Sequence, residues 1–517
     1  MSEKEYIVSL NRGVDYAAFN QEMIATTGAG SIPGRSIDVA NARPGSPRNT
    51  HYNLTDEEAA TLRSDPRVVG VTLKDDPNLK MSLHAIQTGD FTKTTLDRGD
   101  FLNWGMRRIN EATNPYTDLT VTGGYNYTLD GTGVDIVIMD SGIQADHPEF
   151  QDAEGVSRVQ QIDWFTASGV TGTQSANYYR DFDGHGTHVA GTVAGKTYGW
   201  AKNAKIFSIK LDSLAGVGDS GTGLSEEDAF DVIVGWHNAK PNDPTTGVKR
   251  PTIVNMSWGY GVSYNGIPNS LTYRGDEKTG TDIDTAAKRN AFGLYPAAGG
   301  TGYTYSMPSR RTATDTDLQT LIDAGIHVAI AAGNRSHKID IVGGDDYDNF
   351  VTFSGTDYYY NRGSSPFDDE ALMVGSIDSA ENISGLEQKA TYSETGPGVS
   401  VYAPGTDIMS AMSTTNKFGA NTVNNPYPAD ATFLINNISG TSMASPQVAG
   451  VLALWLQLNP EAAPAQGLAF ITSTAKTSQI YETGSAIDYT DNRSLLGSTN
   501  RYLFNKFNSN VQLRIGN

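Results

Sequence analysis

The spacing of apolar residues changes along the chain. Near the start, "EYIVSL" is an apolar run of strand length, and "DYAAFNQEMIA" spaces its apolar residues for one face of a helix. "LTDEEAATLRSDP" sets Thr55 three residues before Glu58, the spacing of a capping box, and Pro66 predicts where that helix stops. "RVVGVTLKD" predicts a further strand. From Val134 onward the apolar runs become continuous: "GVDIVIMD", "AKIFSIKL", "PTIVNMSW" and "GIHVAIAAGN". Runs without alternation suit parallel strands buried on both faces. Helical stretches separate them: "HGTHVAGTVAG", "SEEDAFDVIVGWHNA" and "TDLQTLIDA". The pattern predicts an α/β fold, a doubly wound and mostly parallel sheet with helices on both faces, preceded by a small α+β unit.

The expected organisation is a small unit over residues 1–80, a linker over 81–102 and a main domain over 103–517. Two stretches rich in Gly, Tyr, Asn, Ser and Asp, at about 260–314 and 335–369, interrupt the main domain. Insertions of that length in a compact domain are usually functional or mobile.

Charge and composition narrow the function. The 517 residues carry 38 basic and 58 acidic side chains, a net charge of −20. That argues against nucleic acid or an anionic membrane as a partner. Cysteine is absent, which excludes disulfides and thiolate metal sites. No apolar run is long enough to span a membrane, and "MSEKEYIVSL" lacks the basic and apolar segments of a secretory signal.

Reactive groups of open α/β sheets gather beyond the carboxyl ends of the strands. Asp140 ends "GVDIVIMD", where a turn or cap aspartate is the simplest reading. In "DGHGTHVAG", His185 opens a helix and His188 follows on the same face, as a structural histidine or a metal partner. The zinc motif HExxH is not matched. In "SGTSMASP", Gly440 permits a tight turn and Pro446 suits the first turn of the following helix. Ser442 then lies at the helix N-terminus, where free N–H groups favour developing negative charge. Ser445 is expected to face packing, and Ser439 and Thr441 suit turn and capping roles. A serine nucleophile needs a base, and the base needs an orienting carboxylate. Asp140, His185 and Ser442 supply the three groups.

The chain resembles the subtilisin family of serine endopeptidases, in its proteinase K-like branch. The matching stretches are "IVIMDSGIQADHPEF", "GHGTHVAGTVAGKTYGWAKNAK" and "SGTSMASPQVAG", with "NWGMRRI", "VAIAAGN" and "VYAPGTDI" beside them. The resemblance implies a subtilisin-like fold from about Asn103 to the C-terminus. It implies Ser442 as nucleophile, His185 as base, Asp140 as orienting group and Asn334 as oxyanion donor. It implies substrate-binding segments at Ser257, Trp258 and Gly259, at Gly221, Thr222 and Gly223, and at Ala331, Ala332 and Gly333. Their small, apolar character leads to an expected preference for apolar or aromatic residues before the scissile bond. No metal or cofactor is implied for the chemistry. A structural calcium site is implied at "VSVYAPG", but Ser400 stands where the family's aspartate would be, leaving carbonyls at Asp369 and Ala371. "GGDDYDN" is a second acidic loop to examine for calcium. The first 80 residues resemble the family's inhibitor-type prodomain, which implies a cis partner besides protein or peptide substrates, and a processing site between about Asp75 and Asn103. The alternative is a structural or attachment protein of a larger assembly that keeps a protease fold.

Overall fold

The computed structural model describes residues 3–25, 35–76, 80–83, 104–110, 114, 116, 127–214, 216, 223–297, 302–381, 384–418, 424–482 and 488–507, with backbone only at 80–83 and 381. The N-terminal unit is a four-stranded antiparallel sheet with two helices. The sheet order is Val39–Asn41, Asn49–Leu54, Lys4–Leu10, Val68–Leu73. Helix Tyr16–Ile24 is capped by Asp15, whose side chain accepts from the Ala18 N–H. Helix Asp56–Leu62 has the reciprocal Thr55–Glu58 capping box, which satisfies two N–H groups left free by helix geometry. It stops at Leu62, before Pro66. Phe19, Met23, Ile37, Tyr52, Leu54 and Leu62 belong to a core of its own.

The main sheet runs, edge to edge, through Lys476–Thr477, Arg501–Tyr502, Val401–Pro404, Leu372–Glu381, His327–Ala331, Thr252–Met256, Asp135–Asp140, Lys205–Lys210 and Val159–Gln160. The four apolar runs of the sequence are adjacent parallel strands in its centre. Each is buried almost throughout, which explains the missing alternation. Helices His185–Ala194 and Thr441–Leu458 pack together in one layer. Helices Trp164–Ser168, Glu226–Ala239 and Thr312–Asp323 form another. The order of strands reverses around Asp135–Asp140, whose neighbours are Lys205–Lys210 on one side and Thr252–Met256 on the other. That switch point is where a doubly wound sheet opens a crevice. No helix among the described residues is long and apolar enough to cross a membrane.

The two insertions are not separate loops. Strand Ser270–Tyr273 of the first pairs antiparallel with Phe350–Phe353 of the second. Each brings a hairpin partner, Asp276–Thr279 and Thr356–Tyr359. They enclose a small core of Val262, Leu271, Leu294, Tyr305, Val351 and Phe353. The strand Trp258–Asn265 leads from the main sheet into this accessory unit and pairs with Thr304–Pro308. On its other edge it pairs antiparallel with Lys80–Leu83.

Candidate active site

Asp140 ends its strand at the switch point and is fully buried. Its carboxylate accepts from His185 Nδ1 at 2.8 Å and from the Ser141 backbone N–H at 2.7 Å. His185 is the first residue of its helix and is also fully buried. Nδ1 bound to a carboxylate makes Nε2 the basic nitrogen of the neutral ring. Nε2 has no partner among the described residues. The helix must come very close to the Asp140 turn. A Cβ on Gly186 would lie 2.2 Å from the Gly142 carbonyl oxygen, so only glycine fits.

Asp181 holds this arrangement, and the sequence reading did not single it out. Its carboxylate accepts from the N–H groups of Gly184 and Thr187 and from the hydroxyls of Thr187 and Ser141. It therefore caps the His185 helix from outside and ties it to the residue after Asp140. Burial pushes its carboxyl up from the ordinary range, with Asp183 adding to the shift. An aspartate four residues before the helix start was the available signal.

Ser442 is the second residue of helix Thr441–Leu458, which follows the antiparallel strand Asp430–Ile438. Its hydroxyl donates to the Ser257 carbonyl at 3.0 Å. The Ser257 hydroxyl in turn donates to the Ser442 carbonyl at 3.1 Å. Pro446 makes this exchange available. It sits in the second helical turn rather than the first, because the helix already begins at Thr441. Lacking an N–H, it leaves the carbonyl four residues back, that of Ser442, without a helical donor. Ser445 is buried as expected and donates to Asn255 Oδ1 at 2.8 Å, while Asn255 Nδ2 donates to Ser257 Oγ at 2.9 Å. The turn that carries Ser442 is thus bound to the end of a central strand through Asn255, another residue the motifs did not reveal.

Thr441 does not cap its helix, of which it is the first residue after the N-cap Gly440; it binds Asn334 instead. Its N–H and its hydroxyl both donate to Asn334 Oδ1 at 3.0 Å, and the same hydroxyl accepts from the Gly333 N–H at 3.1 Å. With Oδ1 held twice, the Asn334 amide is fixed in orientation. Its Nδ2 is buried with no partner among the described residues. Ser439 Oγ accepts from the Asp407 N–H at 2.9 Å.

The other sequence candidates fall in different settings. Ser257, Trp258 and Gly259 lie at the start of the strand that pairs with Lys80–Leu83. The Trp258 side chain is wholly inside the core, its indole N–H donating to the Met139 carbonyl at 2.9 Å, so it forms no pocket wall. Ala331 and Ala332 are buried, at and just beyond the end of strand His327–Ala331. A Cβ on Gly333 would lie 2.7 Å from the Glu394 side chain. Burial pushes that carboxyl up to about 8 against the pull of Arg335, and neither oxygen has a partner. Gly223 packs against the backbone of Leu211 and Asp212. Gly221 and Thr222, and nearly all of the expected linker beyond Leu83, lie outside the described residues.

His188 is structural. Its Nε2 is shared between the Ile408 and Asn436 carbonyls at 2.8 and 3.0 Å, and burial pushes its pKa down to about 3. The residues at the implied calcium position do not fit that ion. Ser400 Oγ accepts from the Met373 N–H and donates to the Ala371 carbonyl, so no charge is supplied there. In "GGDDYDN", Asp346 is paired with Arg274 and Lys338, and Asp348 with Arg362.

A family model described as "Subtilase family" matches residues 131–502. The "Extracellular serine proteinase" of Thermus sp. (strain Rt41A) is 27% identical over 419 residues, covering 81% of this chain and 68% of that protein. The "Cuticle-degrading serine protease" of Arthrobotrys oligospora is 28% identical over 421 residues, covering 81% and 71%. The crystal structure of fervidolysin from Fervidobacterium pennivorans, described as a keratinolytic enzyme related to subtilisin, aligns with a TM-score of 0.50 at 17% identity. That alignment covers 97% of this chain and 60% of the other, and it speaks for the fold alone. With the family match spanning well over half its length, this chain belongs to the subtilase family of serine proteases.

Proposed function

We propose that the chain hydrolyses peptide bonds through Asp140, His185 and Ser442, by way of an acyl-enzyme, and that its N-terminal unit holds it as a self-inhibited zymogen. Membership of the proteinase K-like branch is part of this reading and rests on the motif stretches. Support for the triad comes from one observation above all: a buried carboxylate holds one nitrogen of a buried imidazole and leaves the other bare.

The Ser442 hydroxyl would leave the Ser257 carbonyl, pass its proton to His185 Nε2 and attack the substrate carbonyl. Asp140 would keep Nδ1 protonated and stabilise the imidazolium that forms. The oxyanion would meet the Asn334 amide and the Ser442 backbone N–H, at a helix start, where helix geometry supplies no i−4 carbonyl for that N–H. His185 would then protonate the leaving amine and activate the water that releases the acyl group. No metal or cofactor takes part in these steps. Protein or peptide substrates would add as a strand along Ser257–Gly259, with Gly221–Gly223 on the other side.

Self-inhibition is supported by the pairing of Lys80–Leu83 with Trp258–Gly261, in which Leu83 faces Trp258 and Ser82 faces Gly259. The N-terminal unit thereby occupies the backbone edge a substrate strand would need. The cut is expected shortly after Leu83. Nothing in the site favours an attachment role over hydrolysis.

A fluorophosphonate probe tests the chemistry. It should label Ser442 of the wild type once the N-terminal unit is removed, and no labelling in that state overturns the enzyme reading. Intact mass tests the processing, with two fragments expected from wild type and one chain from Ser442→Ala. A wild type that digests casein while staying whole would rule out self-removal.

A further inference from the structure

Among the contacts of the N-terminal unit with the catalytic domain, the most deeply buried cation is Arg43. Arg43 lies between strands Val39–Asn41 and Asn49–Leu54, and its side chain is wholly buried. Nη1 donates to Asp317 Oδ2 at 2.8 Å, and Nη2 donates to Asp231 Oδ1 and to the Glu227 carbonyl, each at 3.0 Å. Nε donates to Asp231 Oδ2 at 3.3 Å. Asp231 and Asp317 stand on the adjacent helices Glu226–Ala239 and Thr312–Asp323. Ser46 and Asn49 complete the Asp317 carboxylate, at 2.6 and 2.7 Å. Among the described residues, the donors to these two catalytic-domain carboxylates come from the N-terminal unit.

The backbone is shaped for this contact. Arg43 has φ of 45°, a left-handed conformation that a side-chain-bearing residue adopts at a cost. Gly45 lets the turn rest on the helix, since a Cβ there would lie 3.1 Å from the Asp231 Cα and Oδ1. By contrast, Arg12 at the rim meets Asp323 and Glu370 with its side chain about half exposed, a setting in which ion pairs contribute little.

We propose that the Asp231–Asp317 socket is a recognition site for a single arginine, and that Arg43 is the anchor deciding whether the N-terminal unit stays docked after its connection is cut. The consequence for latency rests on the self-inhibited reading; the docking itself does not. A guanidinium fork can meet two carboxylates and a carbonyl at once, which an ammonium cannot. Removing it leaves two buried like charges facing each other with nothing between. The occupant is the N-terminal unit of the same chain.

The test separates docking from self-processing. A recognition sequence for an added site-specific protease is inserted between positions 90 and 91 of the full Ser442→Ala chain, which is then cut and followed by size exclusion with light scattering at falling concentration. The parent fragments should migrate together. Arg43→Met should weaken their association roughly a hundredfold, and Arg43→Lys should recover only part. Asp231→Asn with Asp317→Asn should weaken it similarly without touching the N-terminal unit, so misfolding of that unit is not the cause. Combining all three substitutions should restore part of the loss, because no uncompensated charge remains. Parent fragments that separate at once, variants within about threefold of the parent, or a complex of doubled mass would each overturn the proposal. A wild type that never cuts itself would sink the zymogen reading and leave this measurement unaffected.

Discussion

The socket around Arg43 and the centre around Ser442 bury polar groups to the same depth and finish them differently. At the socket, Arg43, Asp231 and Asp317 find their partners across the contact. At the centre, His185 Nε2 and Asn334 Nδ2 are buried with none among the described residues. An unpaired buried donor or acceptor costs about 1–3 kcal/mol, so each such group calls for an explanation, and a molecule that enters the site is the one proposed above. A contact in which each charge is answered calls for none. On the proposed reading, one region turns over and the other holds. Losses at the first should therefore appear in rate, and losses at the second in association.

The largest effect should come from Ser442→Ala. Peptide hydrolysis should fall by at least roughly four orders of magnitude, with the melting temperature nearly unchanged. An equal loss of stability would mean that the hydroxyl's bond to Ser257 is structural. Asn334→Ala should lower kcat about 100- to 1,000-fold with little change in KM. A loss confined to KM would show that the amide binds the ground state. Thr441→Val should act through Asn334, lowering kcat roughly tenfold or more by freeing its amide to turn. Should that variant match wild type, the hydroxyl's donation to Oδ1 does not matter to the rate.

Glu394 gives a smaller effect, readable in pH. Its carboxyl is pushed up to about 8 by burial, above its value in the unfolded chain. The folded state therefore binds the proton more tightly. The stability this contributes is complete at acid pH and is lost as pH rises through about 8. Melting temperature should fall between pH 6 and 9 in wild type and fall less in Glu394→Gln. Parallel slopes would count against a buried, proton-holding Glu394. The smallest effect should be that of Arg12→Ala on fragment association, about threefold at most. A loss matching that of Arg43→Met would erase the distinction between anchor and rim.

Much of the main sheet was legible beforehand. Four strands announced themselves because burial on both faces removes alternation, and the capping box of helix Asp56–Leu62 is a short-range pattern. The motifs also marked Asp140 and His185, which the fold brings to 2.8 Å. The joining of two insertions into one accessory unit was not legible, because the pairing of Ser270–Tyr273 with Phe350–Phe353 links segments far apart in the chain. The setting of Trp258 was half legible. Core packing and a place in the binding segment were equally open readings of the sequence, and the burial of its indole, with the N–H on the Met139 carbonyl, decides for packing.

What the amino-acid order determined by itself is local: where strands and helices begin, which turn carries a serine, which aspartate and histidine close a strand and open a helix. These follow from periodicity, caps and the conformational limits of glycine and proline, which act over a few residues. Only the tertiary structure decided which polar groups would be answered and which left open. Ser442 meets Ser257 across 185 positions of sequence, and Arg43 meets Asp317 across 274. Hydrogen bonding and desolvation depend on distance in space, and no spacing along the chain encodes that distance.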